Sequence, residues 1–165
     1  MSGFAAAAPF SRRLLFIALA CVAAVAAALV SQHAFGMEPC PWCVLQRVIF
    51  LAIALACVIG LLWRNAVGRA LAGTLALLLA LAGIASALWQ HFYAAVSPSC
   101  NLTLADKILN ALSLPSLLPD VFSPRASCAD AAVSLLGISY DLWGLALFVV
   151  FGLTALSLLL DRSRR

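Results

Sequence analysis

Long apolar segments separated by shorter polar ones dominate the hydrophobicity pattern of this chain. Four segments, at about 14–31, 44–63, 70–90 and 142–160, are apolar over nearly their whole length. Each is long enough to cross about 30 Å of hydrocarbon as a helix that rises about 1.5 Å per residue. We therefore predict four membrane-spanning helices.

The composition supports a membrane protein. Of the 165 residues, 65% are hydrophobic and only 10% are charged, which is more apolar surface than a soluble domain of this length can bury. We expect a single all-α membrane domain over 1–165, an integral membrane four-helix bundle.

Arginines near the ends of the four segments predict how the bundle is oriented. They all fall on one side of the predicted membrane: Arg12, Arg13, Arg64, Arg69, Arg162, Arg164 and Arg165. By the positive-inside rule this side is cytoplasmic, so both termini are expected inside and the loops at about 32–43 and 91–141 outside. The net charge of +4 is thus explained by orientation, and nucleic-acid binding is not expected.

The first apolar segment also resembles a signal peptide, because Arg12 and Arg13 precede it. It is long for such a region, and its removal would leave three spans with the two chain ends on opposite faces. We therefore expect an uncleaved membrane anchor.

The long outer loop contains an apolar stretch at 104–122 that is not expected to cross the membrane. Asp106, Lys107, Pro115 and Pro119 interrupt it. We predict a short amphipathic helix at about 105–112 that lies on the membrane surface.

Six cysteines divide into two groups by their position in this topology. Cys21 and Cys57 lie within spans, where a cysteine is most often a small buried hydrophobic residue. The other four lie outside or at the outer interface, where an oxidising compartment converts thiols to disulfides. They are Cys40, Cys43, Cys100 and Cys128. We expect two external disulfides.

The spacing of the external cysteines favours one of the three possible pairings. Only two residues separate Cys40 from Cys43, so these two are expected to pair, which leaves Cys100 with Cys128. A short C-x-x-C ring suits redox chemistry, and in the first turn of the second span the helix N–H groups would stabilise a Cys43 thiolate.

Two other interpretations of these cysteines remain open on the residues alone. The disulfides are structural in the first, although closing a ring as short as Cys40–Cys43 gains little stability. The second is a zinc site, which is disfavoured because Cys100 and Cys128 do not form another closely spaced pair.

Arg47 is the one charged residue within the predicted spans. It lies one turn inside the second span, where its side chain can extend to the interface and avoid the bilayer centre. It also follows Cys43 by four residues and so shares its helical face. We expect its guanidinium to stabilise a Cys43 thiolate or to bind an anionic or carbonyl oxygen.

Several short motifs occur in a characteristic order along the chain. They are Gln32-His33, Pro39-Cys40-Pro41-Trp42-Cys43, Gln46-Arg47, Gln90-His91, Ser97-Pro98-Ser99-Cys100, Ser127-Cys128-Ala129, and Leu136-Gly137-Ile138-Ser139 followed by Trp143. With four spans in this orientation, the chain resembles the DsbB family of bacterial inner-membrane disulfide-generating oxidoreductases. The resemblance covers nearly the whole chain.

The resemblance implies an enzyme that reoxidises a periplasmic thioredoxin-like oxidant of the DsbA type and passes the electrons to a membrane quinone, ubiquinone or menaquinone. It implies that the Cys100–Cys128 pair exchanges with the partner and that the Cys40–Cys43 pair faces the quinone. Arg47 and His91 match family residues at the quinone site. The cysteines would lie on the periplasmic side of the inner membrane.

Alternatives and one departure accompany this resemblance. A vitamin K epoxide reductase-like enzyme shares the four helices and two cysteine pairs, and a non-enzymatic protein with structural disulfides is the third possibility. On the residues alone, His91 is an interfacial histidine without a role. Asp141 stands where the family commonly has a proline before the last helix.

Overall fold

The protein is a bundle of four long helices, described by a computed structural model over residues 3–63, 65–96 and 103–163. The long helices are α1 (Gly3–Phe35), α2 (Pro41–Leu62), α3 (Ala66–Trp89) and α7 (Tyr140–Ser163). Each contains a segment long and apolar enough to cross a membrane. The predicted all-α four-helix membrane fold is confirmed.

Shorter elements connect α3 to α7. A π-helical turn, Gln90–Ala94, extends α3. The segment that follows residue 102 contains α4 (Leu104–Ala111), α5 (Leu114–Leu117) and α6 (Pro119–Phe122), and then strands β1 (Ser134–Leu135) and β2 (Ile138–Ser139).

The two strands form a small hairpin that the apolar pattern did not predict. Leu136 and Gly137 make its turn with φ values of 56° and 81°. Positive φ at both central positions is typical of the tight turns that match the twist of a two-stranded hairpin.

Helix α2 is the central helix of the bundle. In its membrane-crossing segment 61% of the residues are buried inside the protein, against 28% for the segments of α1 and α7. It packs between α1 and α3, and α3 in turn packs against α7. The apolar side chains that remain exposed on the four helices therefore face the surrounding lipid.

The contact between α2, α3 and α7 is built around stacked aromatic rings. Phe50 and Phe148 lie nearly parallel with ring centroids 4.1 Å apart. Gly83 leaves the space that the Phe148 ring fills, since a Cβ there would lie 2.4 Å from the ring.

At the other end of the helices, Arg13 pairs with Asp161 at 2.8 Å and joins α1 to α7.

The connection between α1 and α2 is short, and residues next to each helix end determine where α1 stops and α2 starts. Gly36 ends α1 with a φ of 65°. Cys40 is the N-cap of α2, and Pro41 follows at the first helical position, where a missing N–H is harmless. The helix therefore begins three residues before the predicted start of the span at 44.

Helix α4 corresponds to the helix expected at about 105–112. Thr103 and Asp106 form a capping box at its start. Its Leu109 is buried in a cluster with Val44 of α2 and Phe122 of α6. One face of α4 thus covers the first turns of α2, while Leu104 stays exposed on the other side.

Candidate redox site at the start of helix α2

Three of the four cysteines predicted to be reactive lie together at the N-terminal end of α2. The sulfur of Cys40 lies 2.9 Å from the sulfur of Cys43 and is also hydrogen-bonded to the sulfur of Cys128. Cys40 and Cys128 are buried, and Cys43 is partly buried. Cys100, the expected partner of Cys128, lies outside the described residues. Cys40 is therefore the sulfur shared by the two others.

The first turn of α2 provides backbone donors to two of these sulfurs. The N–H of Cys43 donates to the Cys40 sulfur at 3.3 Å. The N–H of Trp42 donates to the Cys128 sulfur. Sequence reasoning expected the free N–H groups of this turn to favour a Cys43 thiolate. In the structure, the N–H of Cys43 reaches the neighbouring Cys40 sulfur.

Backbone hydrogen bonds hold the loop at 125–133 against the connection between α1 and α2. The N–H groups of Arg125 and Ala126 both donate to the carbonyl of Pro39, at 2.9 and 3.3 Å. These bonds lie beside Cys40 in one loop and Cys128 in the other. They fix the distance between two cysteines that are far apart in sequence.

The hydrogen bonds give Cys40 and Cys128 opposite protonation preferences. The bond with Cys128, the bond with Cys43 and burial all raise the pKa of Cys40 far above its usual range. The same bond with Cys40 is the largest cause that lowers the pKa of Cys128. Cys40 therefore keeps its proton and donates it in a hydrogen bond, and Cys128 is the better nucleophile.

Two buried glutamines form a chain of hydrogen bonds that ends at the Cys43 sulfur. Gln90 donates from Nε2 to the Cys43 sulfur at 3.2 Å. Gln46 donates from Nε2 to the Gln90 Oε1 atom at 2.8 Å. Sequence reasoning assigned no role to either residue. The only signal was their place in the Gln46-Arg47 and Gln90-His91 motifs.

The Arg47 side chain is buried, with only 5% of its surface exposed. Its Nη1 atom donates to Gln32 Oε1 at 2.7 Å and to the Val121 carbonyl at 3.0 Å. A long approach of Nη2 to the Ala28 carbonyl, at 3.5 Å, completes the set. The Arg47 side chain extends toward the loop end of the bundle, where α6 lies over it and supplies one acceptor. All three acceptors are neutral oxygens.

A cavity of about 560 Å³ lies beside these groups. Cys43 and Arg47 of α2 line it, together with the end of α1, the loop at 125–133 and Tyr140, the first residue of α7. This volume is within the usual range for small-molecule sites. Cys43 and the buried Arg47 thus line one space.

His91 is not among the residues that line this cavity. Its Nδ1 atom lies 2.7 Å from Asp141 Oδ2, and Ser139 donates to the other carboxylate oxygen. Asp141, which departs from the family pattern, therefore joins α7 to the π-helical turn. The structure brings His91 to the same end of the bundle as the cysteines but not to the cavity wall.

Comparisons with known proteins identify the family of this chain. The sequence model of the family described as "Disulfide bond formation protein DsbB" matches residues 11–158. The chain belongs to the DsbB family. A disulfide bond formation protein B of Herminiimonas arsenicoxydans is 37% identical over 146 residues, which cover 87% of this chain and 91% of the relative. One from Azoarcus sp. (strain BH72) is 37% identical over 163 residues, covering 95% and 98%. Disulfide bond formation protein B 1 of Pseudomonas aeruginosa is 36% identical over 146 residues, covering 85% and 89%.

Membership of the DsbB family makes this chain a multi-pass membrane protein and a disulfide-forming oxidoreductase. This conclusion favours redox chemistry over purely structural disulfides. Over 3–63, 65–96 and 103–163, no group of three or more His, Cys, Asp or Glu residues is arranged to hold a metal ion. Cys21 and Cys57 are fully buried within α1 and α2.

The hydrogen bond from Cys40 predicts how fast Cys128 reacts in this DsbB family member. Substitution Cys40→Ala removes the donor that lowers the pKa of Cys128, so this pKa rises. Less thiolate is then present near neutral pH, and Cys128 of the reduced protein should react with iodoacetamide about tenfold more slowly. Peptide mass spectrometry measures the rate at this site.

Substitution Cys21→Ala is the matched control, since it removes a buried thiol within a span. It should leave the alkylation rate of Cys128 unchanged. An unchanged rate in Cys40→Ala as well would contradict the hydrogen bond between Cys40 and Cys128.

Proposed function

We propose that this protein reoxidises a periplasmic DsbA-type thiol oxidant and passes the electrons through its two cysteine pairs to a membrane quinone. The observation that carries this proposal is the position of Cys40, which contacts both Cys43 and Cys128. A sulfur placed between two others can exchange disulfide partners without a large movement of the chain. This is what a relay between two cysteine pairs requires.

The relay starts when Cys100 and Cys128 are joined as a disulfide. A thiolate of the reduced partner attacks Cys100 of the Cys100–Cys128 disulfide, which forms a mixed disulfide and releases Cys128 as a thiolate. Cys128 then attacks Cys40 of the Cys40–Cys43 disulfide. A Cys40–Cys128 disulfide forms, and Cys43 leaves as a thiolate. The position of Cys128 next to the Cys40 sulfur supports its role as the attacking group.

Two further exchanges form the Cys100–Cys128 disulfide again. The second thiol of the partner attacks the mixed disulfide, so the partner leaves oxidised and Cys100 is released as a thiolate. Cys100 attacks Cys128 of the Cys40–Cys128 disulfide and releases Cys40. Two electrons and two protons from the partner then reside on Cys40 and Cys43.

The chemistry of the cavity fits a quinone. Its wall offers the Cys43 sulfur, the Arg47 guanidinium and the Tyr140 side chain. A bound quinone supplies the two-electron acceptor that reoxidises the Cys40–Cys43 pair. Arg47 would bind one of its oxygens and stabilise negative charge there. His91 as a quinone ligand remains a prediction from the family resemblance.

The expected topology fits this reaction. With both termini in the cytoplasm, the start of α2 and the loop with Cys128 lie on the periplasmic side of the bacterial inner membrane, where DsbA-type oxidants work. The cavity would then lie at the depth of the outer lipid interface, within reach of a lipid-soluble electron carrier. The arginines near the span ends support this orientation.

Anaerobic mixing of the purified protein with reduced DsbA-type partner and quinone tests the function. We expect the wild-type protein to oxidise the partner and to reduce one quinone per partner disulfide formed. Substitution Cys43→Ser should abolish quinone reduction, because the Cys40–Cys43 disulfide can no longer form. Absorbance of the quinone and thiol counting of the partner measure the two half-reactions.

Substitution Cys57→Ser, which alters a buried cysteine lower in α2, is the control and should retain activity. Quinone reduction that persists in Cys43→Ser would contradict the relay. A wild-type protein that oxidises small thiols but not the DsbA-type partner would support the vitamin K epoxide reductase-like alternative.

Arg47 gives a second test of the same site. Substitution Arg47→Ala removes the charge-assisted hydrogen bond to the quinone oxygen and should raise the KM for quinone about tenfold. The KM for the partner should stay close to the wild-type value. Steady-state kinetics at varied quinone concentration measure the effect.

Arg13→Ala provides the matched loss of charge at the other end of the bundle, where Arg13 pairs with Asp161. It should leave the KM for quinone unchanged. A wild-type KM for quinone in Arg47→Ala would remove Arg47 from the site.

A further inference from the structure

We propose that Gln90, oriented by Gln46, is a positioning residue that holds the Cys43 sulfur as a thiolate. This inference rests on the proposed function, in which Cys43 is the sulfur released toward the cavity. It assigns a role to two residues on different helices, of which Gln90 contacts this sulfur and Gln46 contacts Gln90. Neither residue is charged, so their contribution comes from the direction of their amide groups.

The contacts form a chain from α2 through α3 and back to α2. Gln46 donates from Nε2 to Gln90 Oε1 at 2.8 Å, and Gln90 donates from Nε2 to the Cys43 sulfur at 3.2 Å. Gln46 is 7% exposed and Gln90 is 6% exposed. Water therefore competes little for these bonds, and each is stronger than at the protein surface.

The bond from Gln46 determines which end of the Gln90 amide faces the sulfur. A glutamine side chain can present either its carbonyl oxygen or its NH₂ group to a neighbour. Because Gln46 donates to the Gln90 oxygen, the Gln90 NH₂ group is left to point at Cys43. Helix α7 confines Gln46 in turn, since a Cβ at Gly144 would lie 3.0 Å from its Oε1 atom.

The π-helical turn Gln90–Ala94 sets the position of Gln90. The N–H of Ala95 donates to the Gln90 carbonyl at 2.9 Å, which closes the wider turn. Such turns within α-helices frequently occur at functional sites, because they change the direction of side chains relative to a regular helix. The turn begins at the residue that contacts Cys43.

An amide N–H favours the thiolate over the thiol. A thiolate sulfur is a strong hydrogen-bond acceptor and a thiol sulfur a weak one, so the same donor stabilises the charged form more. Arg47 does not supply this bond, since its guanidinium donates to Gln32, Val121 and Ala28. Gln90 is thus the side chain in the described structure that donates directly from an amide to Cys43.

Site-resolved alkylation of the reduced protein tests this role. In Gln90→Leu the side chain keeps a similar volume and loses the donor, so Cys43 should react with iodoacetamide about tenfold more slowly at neutral pH. Gln46→Leu should slow Cys43 in the same direction by a smaller factor. In both variants the deficit should disappear at alkaline pH, where every Cys43 is a thiolate. A change in access alone would persist at all pH values.

Ser86→Ala is the matched control on the same helix. Ser86 is buried one turn before Gln90, and its hydroxyl donates within α3 to the Gly83 carbonyl at 2.8 Å. The control should alkylate Cys43 at the wild-type rate. Cys128 should react at the wild-type rate in every variant. In turnover, Gln90→Leu should lower kcat for quinone reduction about tenfold and leave the KM for the partner unchanged.

Wild-type alkylation of Cys43 in Gln90→Leu, or a deficit that persists at alkaline pH, would overturn the inference. If Gln90→Leu does not fold, Gln46→Leu decides by the same two criteria. A wild-type protein that reduces no quinone would overturn the proposed function, and the alkylation rates would still decide whether Gln90 favours the Cys43 thiolate.

Discussion

The backbone N–H groups in the first turn of α2 have no partners within the helix, and the rest of the site depends on how they are satisfied. Helix starts leave such donors free, and an apolar surrounding makes unpaired donors costly. Pro41 removes one donor, and the sulfurs of Cys40 and Cys128 accept the next two from Cys43 and Trp42. The cysteines that we propose to carry the redox chemistry therefore also cap the helix.

This capping arrangement explains why a distant loop returns to the start of α2. Cys128 can accept from Trp42 only if its loop lies against the first one, and the two N–H bonds to the Pro39 carbonyl hold it there. The same return places α6 over Arg47, whose bond to the Val121 carbonyl joins helix and loop. The loop that delivers a sulfur to Cys40 thus also closes the cavity wall.

The three sulfurs differ in how readily they hold a proton, because different groups donate hydrogen bonds to them. Cys40 keeps its proton and shares it with two neighbours, and this raises its own pKa while it lowers the pKa of Cys128. Cys43 also receives a donor from the side chain of Gln90. A disulfide relay needs such differences, because the direction of exchange follows which sulfur attacks and which one leaves.

Local patterns in the sequence were sufficient for part of this structure. Apolar segment length predicted the four helices, and the Cys40–Cys43 spacing predicted that these two sulfurs lie together at the start of α2. The proximity of Cys128 to Cys40 and the burial of Arg47 were not predictable, because both depend on how a long loop folds back. Gln46 and Gln90 were missed because an amide acquires a direction only from its neighbours. The hairpin at 134–139 is too short to leave an alternating pattern.

Disulfide mapping after rapid mixing tests most directly whether Cys40 is the sulfur through which the two pairs communicate. The oxidised protein is mixed with reduced DsbA-type partner in the absence of quinone, quenched with acid and alkylating agent, and digested without reduction. We predict a peptide pair linked through Cys40 and Cys128, with Cys43 alkylated. Cys40 linked only to Cys43, and Cys128 only to Cys100, at every time point while the partner is oxidised would contradict this account.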